Sequence, residues 1–136
     1  MIVVLDINVL LVSIPKKSPY RPIFDALING KFELVLTNDI LSEYIEVLQR
    51  KANPTVALNI AETLLNLEHL RKIDIYFQWN LIEKDPDDNK YADAAITGGA
   101  DFLITNDQHF NILKSIAFPK VNTLTIESFL DIIKNH

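Results

Sequence analysis

Short apolar runs alternate with longer amphipathic segments along this chain, and that alternation constrains the fold more than any other feature. Residues 2–5 (IVVL), 32–36 (FELVL) and 101–105 (DFLIT) each have the length of a strand and are mostly apolar. A strand that is apolar on both faces is typical of a parallel sheet that is covered on both sides. Because helical segments separate these strands, the sequence predicts an α/β fold, a parallel sheet with helices on both faces.

The segments between the apolar runs have the periodicity and the boundaries of helices. Residues 39–51 (DILSEYIEVLQRK) place apolar side chains on one stripe, and either Thr37 or Asn38 is suited to cap that helix. The pattern of residues 72–83 is ambiguous, since KIDIYF alternates like an exposed strand. Residues 121–126 (VNTLTI) predict a last strand. Further helices are predicted at 22–29, from Pro54 to about residue 69, at 88–98, as a helical turn or two at 107–114, and at 128–134.

Size, charge and cysteine content limit the possible functions. The 136 residues have the size of one domain, predicted to span residues 1–136. The chain has no cysteine, which excludes a disulfide framework, a thiolate zinc site and a cysteine nucleophile and fits a cytoplasmic location. A net charge of −5 argues against a general polyanion binder, because such binding depends on Lys and Arg. It leaves open a nucleic-acid enzyme whose acids bind divalent cations.

The apolar start of the chain (MIVVLDINVLLVSI) does not predict a membrane segment or a signal peptide. It lacks the positively charged beginning and the small-residue cleavage site of a signal peptide. Asp6 and Asn8 also interrupt it, and no apolar run reaches the roughly 20 residues that a membrane span needs. We therefore expect no association with a membrane.

Two acids follow predicted strands at the point where each strand ends. Asp6 comes directly after residues 2–5, and Asp107 comes soon after residues 101–105. The carboxyl ends of parallel strands share one edge of the sheet, where ligand sites collect. We therefore expect Asp6 and Asp107 to meet at that edge.

Helix geometry predicts that two more acids reach the same edge. Glu43 lies about 40° from Val47 on the 39–51 helix, beside the apolar stripe. Asp88 projects within about 20° of Ala95, on the small and apolar face of the 88–98 helix. Asp93 projects the opposite way and is predicted to be solvated.

The neighbours of Asp88 leave one alternative open. Asp87 could replace Asp88 as the inward-facing acid, but the direction of the helix face favours Asp88. Asp87 and Asp85 are then predicted to cap the helix or to support the site from outside.

Four carboxylates at one edge would need protons or cations to reduce their repulsion. At about 4 Å each like-charge pair costs about 1 to 4 kcal/mol, a severe loss for a marginally stable domain. Oxygen donors without cysteine or a nearby histidine suit Mg²⁺ or Mn²⁺ rather than zinc, and His69, His109 and His136 form no pair at ligand spacing. One or two such ions could activate water and stabilise the charge that develops on a phosphoryl group.

The acids and their flanking residues resemble the PIN-domain ribonucleases. The segments VVLDINVLL, LTNDILSEYIEVL and DPDDNKYADAAITGGADFLITND follow one another as in that family, over nearly the whole chain. The likeness is strongest to PIN proteins that are toxin components of toxin–antitoxin pairs. It implies a three-layer α/β/α fold with a sheet ordered 3-2-1-4-5. It also implies hydrolysis of RNA that depends on Mg²⁺ or Mn²⁺ and leaves 5′-phosphate and 3′-hydroxyl ends, often by a homodimer, with an antitoxin protein as a possible partner.

The resemblance also implies roles for individual residues. By position, the catalytic and metal-binding acids are Asp6, Glu43, Asp88 and Asp107. Asn8 and Thr105 would be supporting polar groups, although Asn8 is equally suited to cap the first short helix. The family usually has Thr where this chain has Ile7, and the missing hydroxyl puts the fine geometry of the ligands in question.

Three basic residues follow the first strand and helix. Lys16, Lys17 and Arg21 are suited either to a solvated loop or to contacts with RNA phosphates near the site.

Two other functions are compatible with parts of this pattern. A metal-dependent phosphatase with an aspartyl nucleophile favours a second acid two residues after the nucleophile, and that position is Asn8 here. A catalytically inactive PIN-like domain that binds RNA or protein typically lacks some of the acids, and this chain has all four. The single Trp79 is predicted to lie in the core or an interface rather than to stack on a base.

Overall fold

A computed structural model describes residues 1–135, in which five strands form one parallel sheet. The order across the sheet is β3-β2-β1-β4-β5, and all neighbouring pairs are parallel. The predicted order 3-2-1-4-5 is therefore confirmed, while His136 lies outside the described residues. The strands are β1 (Ile2–Leu5), β2 (Glu33–Leu36), β3 (Leu70–Lys72), β4 (Phe102–Ile104) and β5 (Thr123–Leu124).

Helices flank this sheet in a three-layer α/β/α arrangement, as predicted. In it, α2 packs against α1 and α6, and α3 packs against α4 and α5. Two 3₁₀ helices, Pro86–Asp88 and Gln108–Ser115, lie before α5 and after β4. Within residues 1–135, no helix is both long and apolar enough to cross a membrane. The α-helices are α1 (Ile7–Ser13), α2 (Arg21–Ile28), α3 (Asn38–Lys51), α4 (Pro54–Leu65), α5 (Asn89–Thr97) and α6 (Ile126–Lys134).

The central strand β1 explains the most apolar run of the sequence. Val3, Val4 and Leu5 are completely buried, because β1 lies between β2 and β4 and is covered on both faces. Asp6 follows directly, so its carboxylate lies in the middle of the carboxyl edge of the sheet.

Side chains cap the beginnings of several helices. Each cap accepts a hydrogen bond from a main-chain N–H of the first turn, which would otherwise lack a partner. The cap of α3 is Thr37 rather than Asn38, and it accepts from Ile40 N–H at 3.1 Å. The other caps of this kind are Asp6 for α1, Asn53 for α4 and Thr125 for α6.

Several predicted boundaries differ from the structure, some of them for local reasons. The Pro54 helix ends at Leu65, because the Asn66 side chain donates to the Glu62 carbonyl at 2.8 Å and closes it. The ambiguous segment contributes only the edge strand β3, and residues 73–85 form neither a strand nor a helix. The predicted 88–98 helix begins as the 3₁₀ turn Pro86–Asp88, since Asp85 caps that turn by accepting from Asp87 N–H at 3.3 Å.

The close approach of α5 to the sheet places the beginning of this helix at the carboxyl edge. A Cβ atom at Gly98 would lie 2.8 Å from Val35 Cγ1, so only glycine allows this approach. Ala92 and Ala94 are fully buried on the same helix. Because α5 precedes β4 and runs antiparallel to it, its N-terminal turn lies near Asp6.

Candidate functional site

Asp6 is held at the centre of the carboxyl edge by hydrogen bonds from two directions. Its side chain is buried, Thr105 Oγ1 donates to Oδ2 at 2.8 Å, and Asn8 N–H donates to Oδ1 at 3.4 Å. Burial raises the pKa of Asp6, these hydrogen bonds lower it, and the charges of Asp107 and Glu43 raise it. A nearby cation would therefore favour the charged form of this fixed carboxylate.

Thr105 connects two of the predicted acids. Its hydroxyl donates to Asp6 and accepts from Asp107 N–H at 3.0 Å. Asp107 in turn caps the 3₁₀ helix Gln108–Ser115 by accepting from His109 N–H at 2.9 Å. The residue that the sequence suggested as a supporting group thus fixes the spacing between the ends of β1 and β4.

Glu43 lies on α3 and is held by two neighbouring residues of α5. It accepts a hydrogen bond from the Tyr91 hydroxyl, and its Oε2 forms an ion pair with Lys90 Nζ at 2.8 Å. The same hydroxyl accepts from Ile7 N–H at 3.3 Å, and burial raises the pKa of Tyr91, which therefore remains a donor. One buried tyrosine thus joins the start of α1 to Glu43.

Sequence reasoning missed the polar roles of Lys90 and Tyr91. Tyr91 lies on the small, apolar face of its helix together with Ala95, and it is buried there. A tyrosine on a buried face usually needs a partner for its hydroxyl, so that position was itself a signal. For Lys90 the sequence offered no such signal, because lysine is common on helix surfaces.

Asp88 ends the 3₁₀ turn, and its side chain is only 15% exposed. Its Oδ2 atom is buried and lacks a hydrogen-bond partner among the described residues, although His109 Nδ1 lies 3.4 Å away. Burial and neighbouring negative charges raise the pKa of Asp88 to about 6, while the His109 contact lowers it. The charges concerned are those of Asp85, Asp107 and Asp6.

His109 lies among the acids, contrary to the expectation that no histidine is near them. Its Nδ1 atom is 3.4 Å from Asp88, 3.5 Å from Asp107 and 3.6 Å from Asp85. Histidine, aspartate and glutamate side chains can each offer one atom to a metal ion. Within residues 1–135, one group of three such side chains has these atoms within 4.8 Å of one another, namely Asp85, Asp88 and His109. The 3₁₀ helix after Asp107 turns the imidazole back toward the 85–88 turn, which the helical periodicity of the sequence did not indicate.

The remaining predicted site residues lie at the margins. Asp87 is exposed, so of the two adjacent acids only Asp88 faces inward, which is the alternative that the direction of the helix face favoured. The Asn8 side chain is exposed, and its main-chain N–H contributes to the capping of α1. Lys16 and Lys17 are exposed as well.

Arg21 is engaged within the chain. Its guanidinium donates to Asp25 at 2.9 Å and to the Ile14 carbonyl, and it lies 4.9 Å from the centre of the Phe24 ring. These contacts leave it less available for a ligand than Lys16 or Lys17.

The prediction that Asp93 is solvated is wrong. Its side chain is buried, and it accepts a hydrogen bond from Trp79 N–H at 3.0 Å. The irregular segment 73–85 covers this side of α5, so a position opposite the sheet is still enclosed. Burial raises the pKa of Asp93, and the hydrogen bond from Trp79 lowers it.

An open cleft of about 790 Å³ lies on the Glu43 side of the acids. It runs between α3, the 75–80 segment and the first turns of α5. Both signs of charge line it, since Arg50 and Lys90 face the cleft together with acids of α3 and α5. Because the acids that line the cleft outnumber these two bases, an anionic strand could approach Glu43 only with cations bound among the acids.

The carboxylate oxygens of Asp6 and Asp88 fit a divalent cation. The carboxylates of Asp6 and Asp88 are buried with raised pKa values, and the Asp88 Oδ2 atom lacks a hydrogen-bond donor. A cation would satisfy that oxygen and offset the repulsion among the acids.

Replacing Asp88 with asparagine should stabilise the metal-free protein, increasingly so at higher pH. The pKa of Asp88 rises from 3.8 to about 6 in the folded state. The contribution of this group to the free energy of unfolding is therefore largest below about pH 4. It is lost as the pH rises through 6, and Asp88→Asn avoids that loss. We expect the difference in melting temperature in EDTA to increase by about 3–6 °C between about pH 5 and pH 8.

The exposed Asp87 provides the matched control for this measurement. Asp87→Asn removes the same charge one residue away but leaves the buried oxygen in place. A pH-independent difference between Asp88→Asn and wild type would contradict the assigned burial of the Asp88 charge.

Comparison with known proteins finds one family and a similar structure. The model of a family described as PIN domain matches residues 2–109. The crystal structure of VapBC2 from Rickettsia felis bound to a DNA fragment from their promoter is similar, with a TM-score of 0.63 and 17% sequence identity. The match covers 92% of this chain and 98% of that chain, and at this identity it concerns the fold alone. No curated protein sequence is significantly similar to this chain.

Proposed function

The chain belongs to the PIN domain family, and from this premise we propose that it is a divalent-metal-dependent endoribonuclease. The observation that carries the proposal is the convergence of acids from separate elements at one edge of the sheet, with Asp6 fixed by Thr105 and Glu43 fixed by Tyr91. In the proposal, residues 1–136 act as one PIN-like domain. The metal-binding and catalytic acids are Asp6, Glu43, Asp88 and Asp107.

The proposed cofactor is one or two Mg²⁺ or Mn²⁺ ions. When bound, the ion supplies activation of water and neutralisation of charge on the phosphoryl oxygens. In this proposal the four acids would supply its oxygen donors.

The other residues of the site would bind and orient the RNA. Lys90 lies at the cleft in an ion pair with Glu43, and its ammonium would turn to a phosphate of a bound strand when an ion takes up that carboxylate. Lys16 and Lys17, which are exposed, are proposed to contact phosphates farther along the strand. Thr105 and Tyr91 keep the orientation of the two acids that they hold.

Cleavage of labelled single-stranded RNA in the presence of Mn²⁺ tests this function. We expect cleavage that is lost in EDTA and that falls about 100-fold or more in the Glu43→Gln variant. Glu43→Gln keeps the shape of the side chain but removes the charge that pairs with Lys90. The matched control is Glu62→Gln, which changes an exposed glutamate on α4 that does not line the cleft.

Two results would contradict the ribonuclease. Cleavage that persists in EDTA, or equally in Glu43→Gln and wild type, would trace to a contaminating nuclease or to other residues. Absence of cleavage together with absence of Mn²⁺ binding by calorimetry would favour a non-catalytic domain that binds RNA or protein.

The likeness to toxin components carries a second part of the proposal. We propose that the chain acts in the cytoplasm as the toxin of a toxin–antitoxin pair, as a homodimer, with an antitoxin protein as partner. The shared fold with a chain of the VapBC2 structure supports this proposal.

A further inference from the structure

Two separate turns bring an imidazole close to two carboxylates, beside the four proposed acids. Asp85 and Asp88 lie on the turn before α5, and His109 lies on the 3₁₀ helix after β4. We propose that Asp85, Asp88 and His109 form a site that binds a divalent transition-metal ion in preference to Mg²⁺. This inference rests on the proposed function and deepens it. The site shares Asp88 with the four proposed acids, and its imidazole indicates the kind of ion that it selects.

The distances among the three side chains suit a shared ion. His109 Nδ1 lies 3.4 Å from Asp88 Oδ2 and 3.6 Å from Asp85 Oδ2, and the three donor atoms lie within 4.8 Å of one another. Metal–ligand bonds of about 2.0–2.2 Å on either side of an ion span such separations.

The buried oxygen of Asp88 is an independent indication of a ligand at this position. Oδ2 has almost no contact with solvent and lacks a hydrogen-bond donor, yet it is the oxygen that faces His109. Buried polar atoms in native proteins nearly always have a partner, and an unpartnered one indicates a missing ligand or a functional role. A cation between Asp88 and His109 would satisfy this atom.

Main-chain N–H groups take part in contacts that hold two of the three donor residues in position before any ion binds. Asp85 is fixed by the N–H of Asp87, and His109 is fixed by its own N–H, which donates to Asp107 at 2.9 Å. The next residue, Phe110, is buried and anchors the 3₁₀ helix in the core. The main chain that carries the imidazole therefore needs little rearrangement when an ion binds, which favours binding.

The imidazole nitrogen determines the class of ion. Mg²⁺ takes oxygen ligands and retains several of its waters, whereas divalent transition ions accept imidazole readily. A nitrogen donor in this group should therefore favour an ion such as Mn²⁺ over Mg²⁺. Without an ion, a protonated His109 would simply pair with the acids, and that is the competing explanation of the same geometry.

Calorimetric titration of the metal-free protein with Mn²⁺, and separately with Mg²⁺, tests the proposal. We expect wild type to prefer Mn²⁺, and His109→Ala to weaken Mn²⁺ binding about tenfold or more with little change in Mg²⁺ binding. Pulsed electron paramagnetic resonance of bound Mn²⁺ should show nitrogen coupling that His109→Ala abolishes. The control His69→Ala changes an exposed histidine that lies against Gly30 and should retain the coupling.

A second variant keeps the proposal testable if His109→Ala unfolds. Asp85→Asn should also weaken Mn²⁺ binding, while it retains the imidazole and its nitrogen coupling. Absence of nitrogen coupling in wild type, or equal Mn²⁺ affinity of wild type and both variants, would overturn the proposal and leave His109 as an ion-pair partner only.

These binding measurements separate the failure of this inference from failure of the proposed function. They use no RNA, so nitrogen-coupled Mn²⁺ in a protein that does not cleave RNA would overturn the ribonuclease alone. Metal-dependent cleavage by a protein without the coupling would overturn the His109 site alone.

Discussion

The Asp6→Asn variant is expected to lose metal-dependent RNA cleavage by about 10³-fold or more, with its fold intact. Asp6 lies at the end of the central strand, is fixed by Thr105 and the N–H of Asn8, and is the most buried of the four proposed acids. Asparagine keeps the size of the side chain, but its one carbonyl oxygen can replace only one of the two carboxylate oxygens that accept these hydrogen bonds. It removes the negative charge that the ion requires.

The same substitution should not destabilise the metal-free protein. Burial raises the pKa of Asp6, which means that the folded state disfavours its charge. A neutral side chain of equal shape avoids that penalty, which offsets the one hydrogen bond that asparagine loses, so we expect the melting temperature in EDTA to stay close to that of wild type.

Cleavage rates with Mn²⁺ and thermal melts in EDTA together check this expectation. Asp131→Asn is the matched control, since it removes one charge from an exposed position on α6. Wild-type cleavage by a pure, folded Asp6→Asn preparation would exclude Asp6 from the catalytic site.

The Phe110→Ala variant is expected to reduce the free energy of unfolding by about 3–5 kcal/mol. Phe110 is only 1% exposed, and its ring packs edge-to-face against Tyr91 with 6.3 Å between ring centroids. Removing the ring leaves a cavity between the 3₁₀ helix and α5, and the packing of the surrounding core prevents full collapse. That helix carries His109, and Asp107 caps it, so the site should loosen as well.

Urea unfolding in EDTA measures this effect, with Phe118→Ala as the control. Phe118 is 83% exposed, so its truncation should change the free energy of unfolding by less than about 0.5 kcal/mol. A Phe110→Ala cost close to that of the control would contradict the packing of the 3₁₀ helix against α5.

The sequence predicted the sheet because its signals are local. Val3, Val4 and Leu5 form a continuous apolar run, and a central parallel strand needs such a run. The order of the five strands came from the resemblance, and the structure confirms it. The 3₁₀ turn at Pro86–Asp88 was not predicted, because a cap from Asp85 and a helix start at Asn89 differ little in sequence pattern.

The expected positions of two acids agree with the structure where chain direction alone decides. Asp6 and Asp107 follow strands that run in the same direction, and they share Thr105. Asp88 faces inward and Asp87 outward, in agreement with the preferred alternative. The role of these acids as metal ligands stays a prediction for the Asp6→Asn and Glu43→Gln measurements.

By itself, the sequence determined which acids end the strands and which helix faces turn inward, because strand and helix periodicity act over a few residues. Only the tertiary structure decided that Tyr91 reaches Glu43, that Asp93 is enclosed beneath the segment containing Trp79, and that His109 lies among the acids. Those contacts join side chains from different elements, up to 48 residues apart for Tyr91 and Glu43. Their geometry depends on how α3, α5 and the irregular segments pack together, which no local pattern encodes.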